Sequence, residues 1–182
     1  MITIPIIAVG LIIIWLIIIY NLFIRDRNLM KEAWSGIDVQ LKRRHNLIPN
    51  LVTTVKGYSK HERNLFEDIT EKRAKTIQID NIKEKSTLET DLSGMLKTLF
   101  AVVEDYPYLK ANENFLDLQN QLTEIEDQIQ YSRRYYNGTV RNYNIRVESF
   151  PNNIVSGLFH FKPEEYFEIT FATERKTPEV KL

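Results

Sequence analysis

The sequence predicts an all-α protein in which an N-terminal transmembrane helix continues into an antiparallel four-helix bundle, followed by a short irregular tail. Residues 2–20 carry no charge, later segments repeat apolar residues at helical spacing, and the 182 residues include only six glycines and six prolines. We therefore expect a membrane anchor over residues 1–24, a helical bundle over residues 25–161, and a strand-like or disordered tail over residues 162–182.

The anchor is predicted from the apolar run between Ile2 and Tyr20, which only Pro5 and Gly10 interrupt. At a rise of about 1.5 Å per residue this run covers roughly 28 Å, which matches the thickness of a hydrocarbon core. Trp15 and Tyr20 are its amphipathic rings, and Tyr20 lies where an aromatic belt would meet the interface. A cleaved signal peptide would need a positively charged start and a cleavage site of small residues. This sequence has no Lys or Arg before the apolar run, and the run ends in Ile-Tyr-Asn-Leu-Phe, so we favour a retained anchor.

The orientation of the anchor is predicted from the basic residues beside it. Arg25, Arg27 and Lys31 follow the apolar run, and no Lys or Arg precedes it. The positive-inside rule then places the body in the cytoplasm and the N-terminus outside. We expect a single-pass protein of the cell membrane.

The body begins with an apolar stripe that leaves two helical arrangements open. Basic residues 42–45 suit a helix C-terminus, Asn46 is a possible N-cap, and Pro49 suits the first turn of a new helix. We favour this boundary at 45/46, with the second helix ending near Thr76. The alternative is one kinked helix, because the stripe stays in register across the boundary at Met30, Trp34, Ile37, Leu41, Ile48, Val52, Val55 and Tyr58.

Two more helices are predicted after a polar loop over residues 77–85. Ser86 and Glu89 form a capping box before an apolar run that stops ahead of Pro107. In the last helix the stripe stays in phase across Asn137-Gly138, so we predict one uninterrupted helix. The stripe of that helix consists of Phe115, Leu118, Leu122, Ile125, Ile129, Tyr136, Tyr143, Val147 and Phe150.

The C-terminal part is read differently. Residues 150–161 are apolar and aromatic but loop-like. We favour the interpretation that this segment caps the open end of the core, and contact with the bilayer interface is the alternative. Beyond them Phe167, Ile169 and Phe171 alternate with less apolar residues. A disordered tail or a strand that pairs with the sheet edge of another protein fits this pattern.

The composition and motifs argue against catalysis. Lys+Arg and Asp+Glu are equal at 24 each, so the net charge does not favour the binding of nucleic acid. Cysteine is absent, which excludes thiolate metal sites and cysteine nucleophiles. His61-Glu62 begins like a zinc-protease helix, but Leu65 stands where the second histidine is needed. No phosphate loop or dinucleotide-binding fingerprint occurs. We therefore expect no catalytic residues, metal, cofactor or small-molecule substrate.

Polar side chains at or near the inner faces are the remaining candidates for a site. Buried ring N–H and O–H groups need hydrogen-bond partners, so we predict a structural polar network. A ligand pocket between helices is the alternative. The residues concerned are Trp34, Asp38, Arg43, Tyr58, Arg73, Tyr136 and Asn137.

A series of short motifs between Asn21 and Phe167 is shared with a known protein family. The motifs are Arg27-Asn28, Glu32-Ala33-Trp34-Ser35, the run 37–45, the run 47–51, Val55-Lys56-Gly57-Tyr58, His61-Glu62, Tyr106-Pro107, Leu109-Lys110-Ala111-Asn112, Arg133-Arg134-Tyr135-Tyr136-Asn137, Val140-Arg141, Tyr143-Asn144, Phe150-Pro151, Gly157-Leu158-Phe159, Phe161 and Tyr166-Phe167. Through them the chain closely resembles the LemA family of bacterial membrane proteins. Asn46 stands where that family often has Asp, and His160 where Gly is common.

The resemblance implies a helical bundle behind one N-terminal span, with the N-terminus outside and no established enzymatic activity. Two functions remain open. The first is a membrane-anchored scaffold or adaptor that contacts lipid and protein partners, including other copies of itself. The second is a ligand-sensing or enzyme-supporting bundle with a polar pocket.

Overall fold

The structure, a computed structural model, describes residues 3–59 and 62–167. The predicted all-α fold is confirmed, because every regular element in these residues is a helix. Within the described residues, four longer helices and two short ones follow one another. They are α1 (Thr3–Lys56), α2 (Arg63–Ile77), α3 (Ile82–Val103), α4 (Pro107–Lys110), α5 (Glu113–Glu148) and α6 (Asn152–Phe159).

The chain divides into two compact units, and α1 and α5 contribute to both. The first unit contains the described residues of 1–38 and 130–166, and the second those of 39–129 together with Phe167. Ile2, His61 and most of the predicted strand-like tail, from residue 168 to 182, lie outside the described residues.

The predicted helix boundary at 45/46 is wrong, because α1 continues through it to Lys56. Pro49 lies inside α1 and has no N–H to donate to the carbonyl of His45, one turn earlier. The Nε of Arg73 on α2 donates to that carbonyl at 2.7 Å instead. The helix therefore passes the proline because a side chain from another helix satisfies the carbonyl that the proline leaves free.

The break between the first two helices occurs at Gly57, where the α-helical pattern ends in a turn. The N–H groups of Tyr58 and Ser59 both donate to the carbonyl of Val55 at 3.0 Å. Then α2 runs from Arg63 to Ile77, close to the predicted end near residue 76.

The start of α3 differs from the prediction. Asn81 is the N-cap, and its side-chain oxygen accepts a hydrogen bond from the N–H of Glu84 at 2.9 Å. The helix therefore begins at Ile82, and the predicted loop over residues 77–85 is shorter than expected. Ser86 and Glu89 do not form a capping box. Both are buried inside the helix, where Glu89 takes part in an ion pair.

The long last helix is confirmed as α5, which passes through Asn137-Gly138 without interruption. Asn112 caps its first turn by accepting a hydrogen bond from the N–H of Phe115 at 3.1 Å. Its predicted apolar stripe is buried or half-buried along the helix, but Phe150 at the end of the stripe is 79% exposed.

Residues 150–161 contain a helix, α6, rather than the predicted loop. Ser156 fixes it to α5 by donating its hydroxyl to the carbonyl of Val147 at 2.9 Å. After α6 the backbone of His160 adopts a left-handed conformation with φ 58° and ψ 34°, and the N–H of Phe161 bonds the carbonyl of Ser156 at 2.9 Å. Glycine favours this conformation, so the backbone at position 160 is special although the residue is not glycine.

The core of the second unit consists of apolar side chains from α1, α2, α3, α4 and α5. Their burial removes apolar surface from water and is the main stabilisation of this unit. The buried members are Ile48, Leu51, Val52, Val55, Phe66, Ile69, Leu92, Leu96, Leu99, Val103, Leu109, Phe115 and Leu122.

Candidate functional site

The first part of α1 exposes a long series of apolar side chains. It is the one helix among the described residues that is long and apolar enough to cross a membrane. Ile4 is 74% exposed, and Leu11, Ile14 and Ile17 are exposed as well. Pro5 lies in the first turn and Gly10 has no side-chain neighbour, so neither interrupts the helix. Such a surface is unfavourable in water, so this part of α1 is a candidate membrane span.

An aromatic cluster lies at the end of this apolar stretch, within the first unit. The ring of Tyr20 on α1 lies 4.9 Å from the ring of Phe159 on α6 and 5.8 Å from that of Phe161. One turn further along α1, Phe23 stacks on Phe161 at 4.6 Å and meets the edge of Tyr143 at 6.0 Å. These contacts place the C-terminal end of α6 beside the end of the apolar stretch.

Charged residues begin directly after this cluster. Arg25, Arg27 and Lys31 are exposed, and the guanidinium of Arg27 lies 6.0 Å from the centre of the Phe161 ring. Asp26 is paired with Arg146 of α5 through a 2.7 Å contact. The apolar stretch is therefore followed by exposed cations and one neutralised pair.

Further along α1, Trp34 meets the ring of Tyr136 on α5 at 5.5 Å. The Tyr136 hydroxyl donates to the carbonyl of Glu165 at 3.1 Å. Burial, together with the nearby charges of Glu164 and Glu165, raises the pKa of Tyr136 to about 12. Burial likewise raises the pKa of Tyr143, and Glu164 adds to the shift. Both phenols therefore remain neutral, and the one of Tyr136 fixes the segment that follows α6.

A buried charged cluster lies in the second unit, centred on Arg44 of α1. Arg44 is 1% exposed, and its guanidinium donates to Ser93 Oγ at 2.7 Å and to Glu126 Oε2 at 2.8 Å. It also forms an ion pair with Glu89, which is 3% exposed. Removing a guanidinium from water is costly, and these three partners on α3 and α5 offset that cost.

His45 extends the cluster. Its Nε2 lies 2.9 Å from Oε1 of Glu89, so Glu89 is held by two successive residues of α1. The carbonyl of His45 accepts the hydrogen bond from Arg73 described above. The charged cluster therefore connects α1, α2, α3 and α5 through side chains around one turn of α1.

The cluster determines the ionisation of Glu89. Burial alone would raise the pKa of this carboxyl, but the close contact with the His45 imidazole and the charges of Arg44 and His45 together hold the pKa below its ordinary value. Glu89 is therefore a carboxylate at neutral pH despite its burial, and it balances the charge of Arg44.

A small cavity of about 200 Å³ adjoins the charged cluster in the second unit. Its apolar lining residues are Leu96, Phe100 and Leu122, and its polar lining residues are Arg44, Ser93, Lys97, Thr123, Glu126 and Asp127. Among the polar residues, Arg44, Ser93 and Glu126 already bind one another. The cavity can therefore take a small, mostly apolar group without breaking the cluster.

The residues predicted as a polar network have different neighbours in the two units. In the first unit Trp34 packs on Tyr136 and Asn137 is half-buried, while Asp38 is exposed. In the second unit Arg43 is exposed and donates to Gln40, Tyr58 accepts a hydrogen bond from Asn112, and Arg73 binds the carbonyl of His45. A pocket formed by these residues stays a prediction.

Sequence reasoning missed the buried charged cluster. It assigned residues 42–45 to a helix end, although Arg44 follows Leu41 by three positions and precedes Ile48 by four. On α3, Glu89 and Ser93 likewise share the face of Leu92 and Leu96. Opposite charges on the apolar stripes of two helices are the signal that could have identified the pair.

The described residues include no group of three or more acidic or histidine side chains arranged to hold a metal ion. In the charged cluster the potential acids and bases are bound to each other. The described residues therefore contain a neutralised connection between helices in the second unit and an exposed apolar stretch of helix in the first.

Known proteins with similar sequences include two kinds of relative. Magnetosome protein MamQ 2 of Paramagnetospirillum magneticum is 26% identical over 175 residues, which cover 82% of this chain and 64% of that protein. Magnetosome protein MamQ of Magnetospirillum gryphiswaldense is 23% identical over 193 residues, covering 92% and 71%. Protein LemA of Metamycoplasma hominis is 28% identical over 137 residues, covering 75% and 63%.

The chain thus spans 64% of the length of the first of these relatives. The family match extends over residues 33–182, which is most of the chain and includes the charged cluster and α6. This match continues past Tyr166-Phe167, the last of the motifs that carry the resemblance. The chain belongs to the LemA family.

Proposed function

We propose that this protein is a non-catalytic, membrane-anchored scaffold that binds other proteins at the membrane surface. In this proposal the first part of α1 crosses the cell membrane once, with its N-terminus outside and the helical body in the cytoplasm. The observation that carries the proposal is the exposed apolar surface of α1, which ends where the exposed cations Arg25 and Arg27 begin.

Membership in the LemA family supports this proposal. Two relatives carry the name of magnetosome proteins, and neither MamQ nor LemA is the name of an enzyme. The buried charged cluster also fits a structural role, because Arg44, Glu89 and Glu126 are bound to one another. We therefore assign the charged cluster to stability and the activity of the protein to its surfaces.

A surface suited to protein contacts lies on α5 in the first unit. Tyr131 is 60% exposed, Tyr135 is exposed one turn later, and the guanidinium of Arg134 lies 4.7 Å from the centre of the Tyr131 ring. Tyrosine and arginine are enriched at the energetic centres of protein interfaces. We call Tyr131, Arg134 and Tyr135 the tyrosine–arginine surface and assign partner binding to it.

The anchor is tested by membrane extraction and labelling. The full chain is expected to stay with the membrane fraction in alkaline carbonate. Because the protein has no cysteine, Ser35→Cys supplies a single thiol of nearly unchanged shape on an exposed part of α1. A membrane-impermeant maleimide should label it only in permeabilised cells. Labelling in intact cells would refute the proposed orientation, and release by carbonate would refute the span.

The scaffold function is tested by crosslinking in intact membranes followed by mass spectrometry. The Tyr131→Ala/Tyr135→Ala variant is expected to lose crosslinked partners that the unsubstituted chain retains. Tyr108→Ala is the matched control, because Tyr108 is even more exposed but lies outside the tyrosine–arginine surface. Equal partner recovery for both variants would remove this surface from the proposal, and an absence of protein partners would remove the scaffold function.

A ligand-sensing function is the second candidate, and the cavity beside Arg44 supports it. A thermal-shift screen of the full chain in detergent with metabolites and small apolar molecules tests it. A ligand that stabilises the protein should lose its effect when Leu96→Trp fills the cavity. A screen without any stabilising compound would refute this candidate and leave the scaffold proposal intact.

A further inference from the structure

The region from Phe150 to Phe161 is unusual because it is exposed, apolar and uncharged. It contains no Asp, Glu, Lys or Arg over twelve consecutive residues. Phe150 is 79% exposed, and Ile154 and Leu158 follow it at four-residue spacing and are exposed too. These three residues, which we call the outer stripe, thus lie along one side of α6 and the turn before it.

The other side of α6 is already occupied. Val155 and Ser156 are buried, and Ser156 binds the carbonyl of Val147. The helix is therefore more apolar on its exposed side than on the side that packs on α5. A helix that only capped the core would carry polar or charged residues outward.

The position of α6 indicates what covers the outer stripe. Its last residue, Phe159, contacts Tyr20, which lies five residues before the first charge of α1, Arg25. Five residues of helix correspond to about 7.5 Å. Helices that lie in the surface of a bilayer bury their apolar side roughly 5–10 Å deep at the boundary of the acyl chains. If α1 crosses the bilayer, the end of α6 lies at this depth.

The rest of α6 lies within a short distance of this contact. Its eight residues form a helix about 12 Å long, so Ile154 and Leu158 lie within about 12 Å of its last residue, Phe159. Exposed Arg25, Arg27 and Lys162 flank the region and suit the head groups of anionic lipids. The outer stripe therefore belongs to a helix that contacts the end of the candidate span, and exposed cations flank this region.

We propose that α6 is a second membrane contact, an interfacial helix that inserts Ile154, Leu158 and Phe150 into the lipid surface beside the span. The proposal rests on the proposed membrane anchoring of α1. A single transmembrane helix leaves the protein free to rotate about the helix axis. A second attachment through α6 would restrict this rotation and give the first unit a defined orientation at the membrane surface.

The test uses the full chain in vesicles of phosphatidylcholine and phosphatidylglycerol with a polarity-sensitive fluorophore on a single introduced cysteine. Leu158→Cys reports on α6, Ile13→Cys on the span, and Ser35→Cys on α1 about 22 Å beyond Tyr20. Lipids with a spin label near the head group or deep in the acyl chain quench the fluorophore. We expect loss of emission at position 158 with the shallow quencher, at position 13 with the deep quencher, and at position 35 with neither.

Each result separates the two proposals. A label at position 158 that behaves like the one at position 35, while position 13 is quenched, would overturn the role of α6 and leave the span intact. An unquenched label at position 13 would refute the span and with it the premise for α6. Energy transfer between copies labelled at position 158, without quenching by lipid, would assign the outer stripe to a second copy of the chain and also overturn the proposal.

Discussion

Replacing Arg44 by methionine tests the buried charged cluster most directly. Arg44→Met keeps an unbranched apolar stem but removes the guanidinium and with it the three hydrogen-bonded contacts to Glu89, Ser93 and Glu126. Glu126 is partly exposed and can turn toward water, whereas Glu89 is buried and keeps only His45 beside its carboxylate. Removing one partner of a buried pair costs about 3–5 kcal/mol, since the other charge is left in the interior.

The measurement is thermal unfolding of the full chain in detergent micelles, followed by helical circular dichroism. For a chain of this size 1 kcal/mol corresponds to about 2–4 °C, so the midpoint of Arg44→Met should fall by roughly 6–20 °C. Arg43→Met is the matched control, because the neighbouring Arg43 is exposed and binds only Gln40. Its free energy of unfolding should change by no more than about 0.5 kcal/mol.

A double variant separates the loss of the pair from the loss of packing. In Arg44→Met/Glu89→Leu no carboxylate of this pair is left buried, and apolar replacement of a buried pair is often neutral or stabilising. We expect the double variant to be more stable than Arg44→Met by about 2 kcal/mol, a value within the range of coupling energies between residues in contact. An Arg44→Met protein as stable as the Arg43→Met control would refute the assignment of Arg44 to the stability of the fold.

The remaining predictions concern single features of the structure. The folded-state pKa of Glu89 lies below that of a glutamate in the unfolded chain, so its contribution to stability should be complete above the unfolded pKa and should be lost as the pH falls through the folded one. Acid titrations of unfolding should show this loss, and Glu89→Gln should lack it. His160→Gly should raise the free energy of unfolding by about 0.5–1 kcal/mol in urea titrations, because glycine adopts φ 58° without strain, whereas His160→Ala should not. Arg73→Met should cost about 1–3 kcal/mol by leaving the carbonyl of His45 without a partner, and adding Pro49→Ala should restore much of the loss because alanine supplies the missing N–H; equal effects with and without Pro49→Ala would contradict this account.

The sequence predicted those parts of the fold that depend on local spacing. The apolar run, the stripes of the long helices and the passage of α5 through Asn137-Gly138 are repeated along the chain, so each is visible without knowing its neighbours. The end of α1 was misplaced because its continuation depends on Arg73, a residue 24 positions after Pro49 in the chain. A local rule for proline cannot include a hydrogen bond that another helix donates.

The start of α3 and the charged cluster were missed for the same reason. Ser86 and Glu89 satisfy the pattern of a capping box, but Asn81 offers an earlier cap, and Glu89 gains more from Arg44 and His45 inside the fold. The charge of Arg44 suggested an exposed helix end, whereas its spacing from Leu41 placed it on the buried face. The type of a residue and its spacing can predict opposite degrees of burial. A charged residue at a core-facing position is buried when an oppositely charged residue on the apolar stripe of another helix pairs with it.

The two units differ in which side chains are in an energetically costly environment: the second unit has buried charges, and the first has exposed apolar side chains. This difference connects the fold to the proposed function. The second unit buries Arg44 and Glu89 and neutralises them internally, so that substitutions there should act on stability. Among the described residues of the first unit, Ile13, Leu158 and other apolar side chains are exposed. Such a surface is unfavourable in water, whereas in the proposed membrane attachment a bilayer would cover both the candidate span and the outer stripe. Substitutions of exposed apolar residues in the first unit should therefore change membrane attachment while leaving the thermal stability of the second unit unchanged.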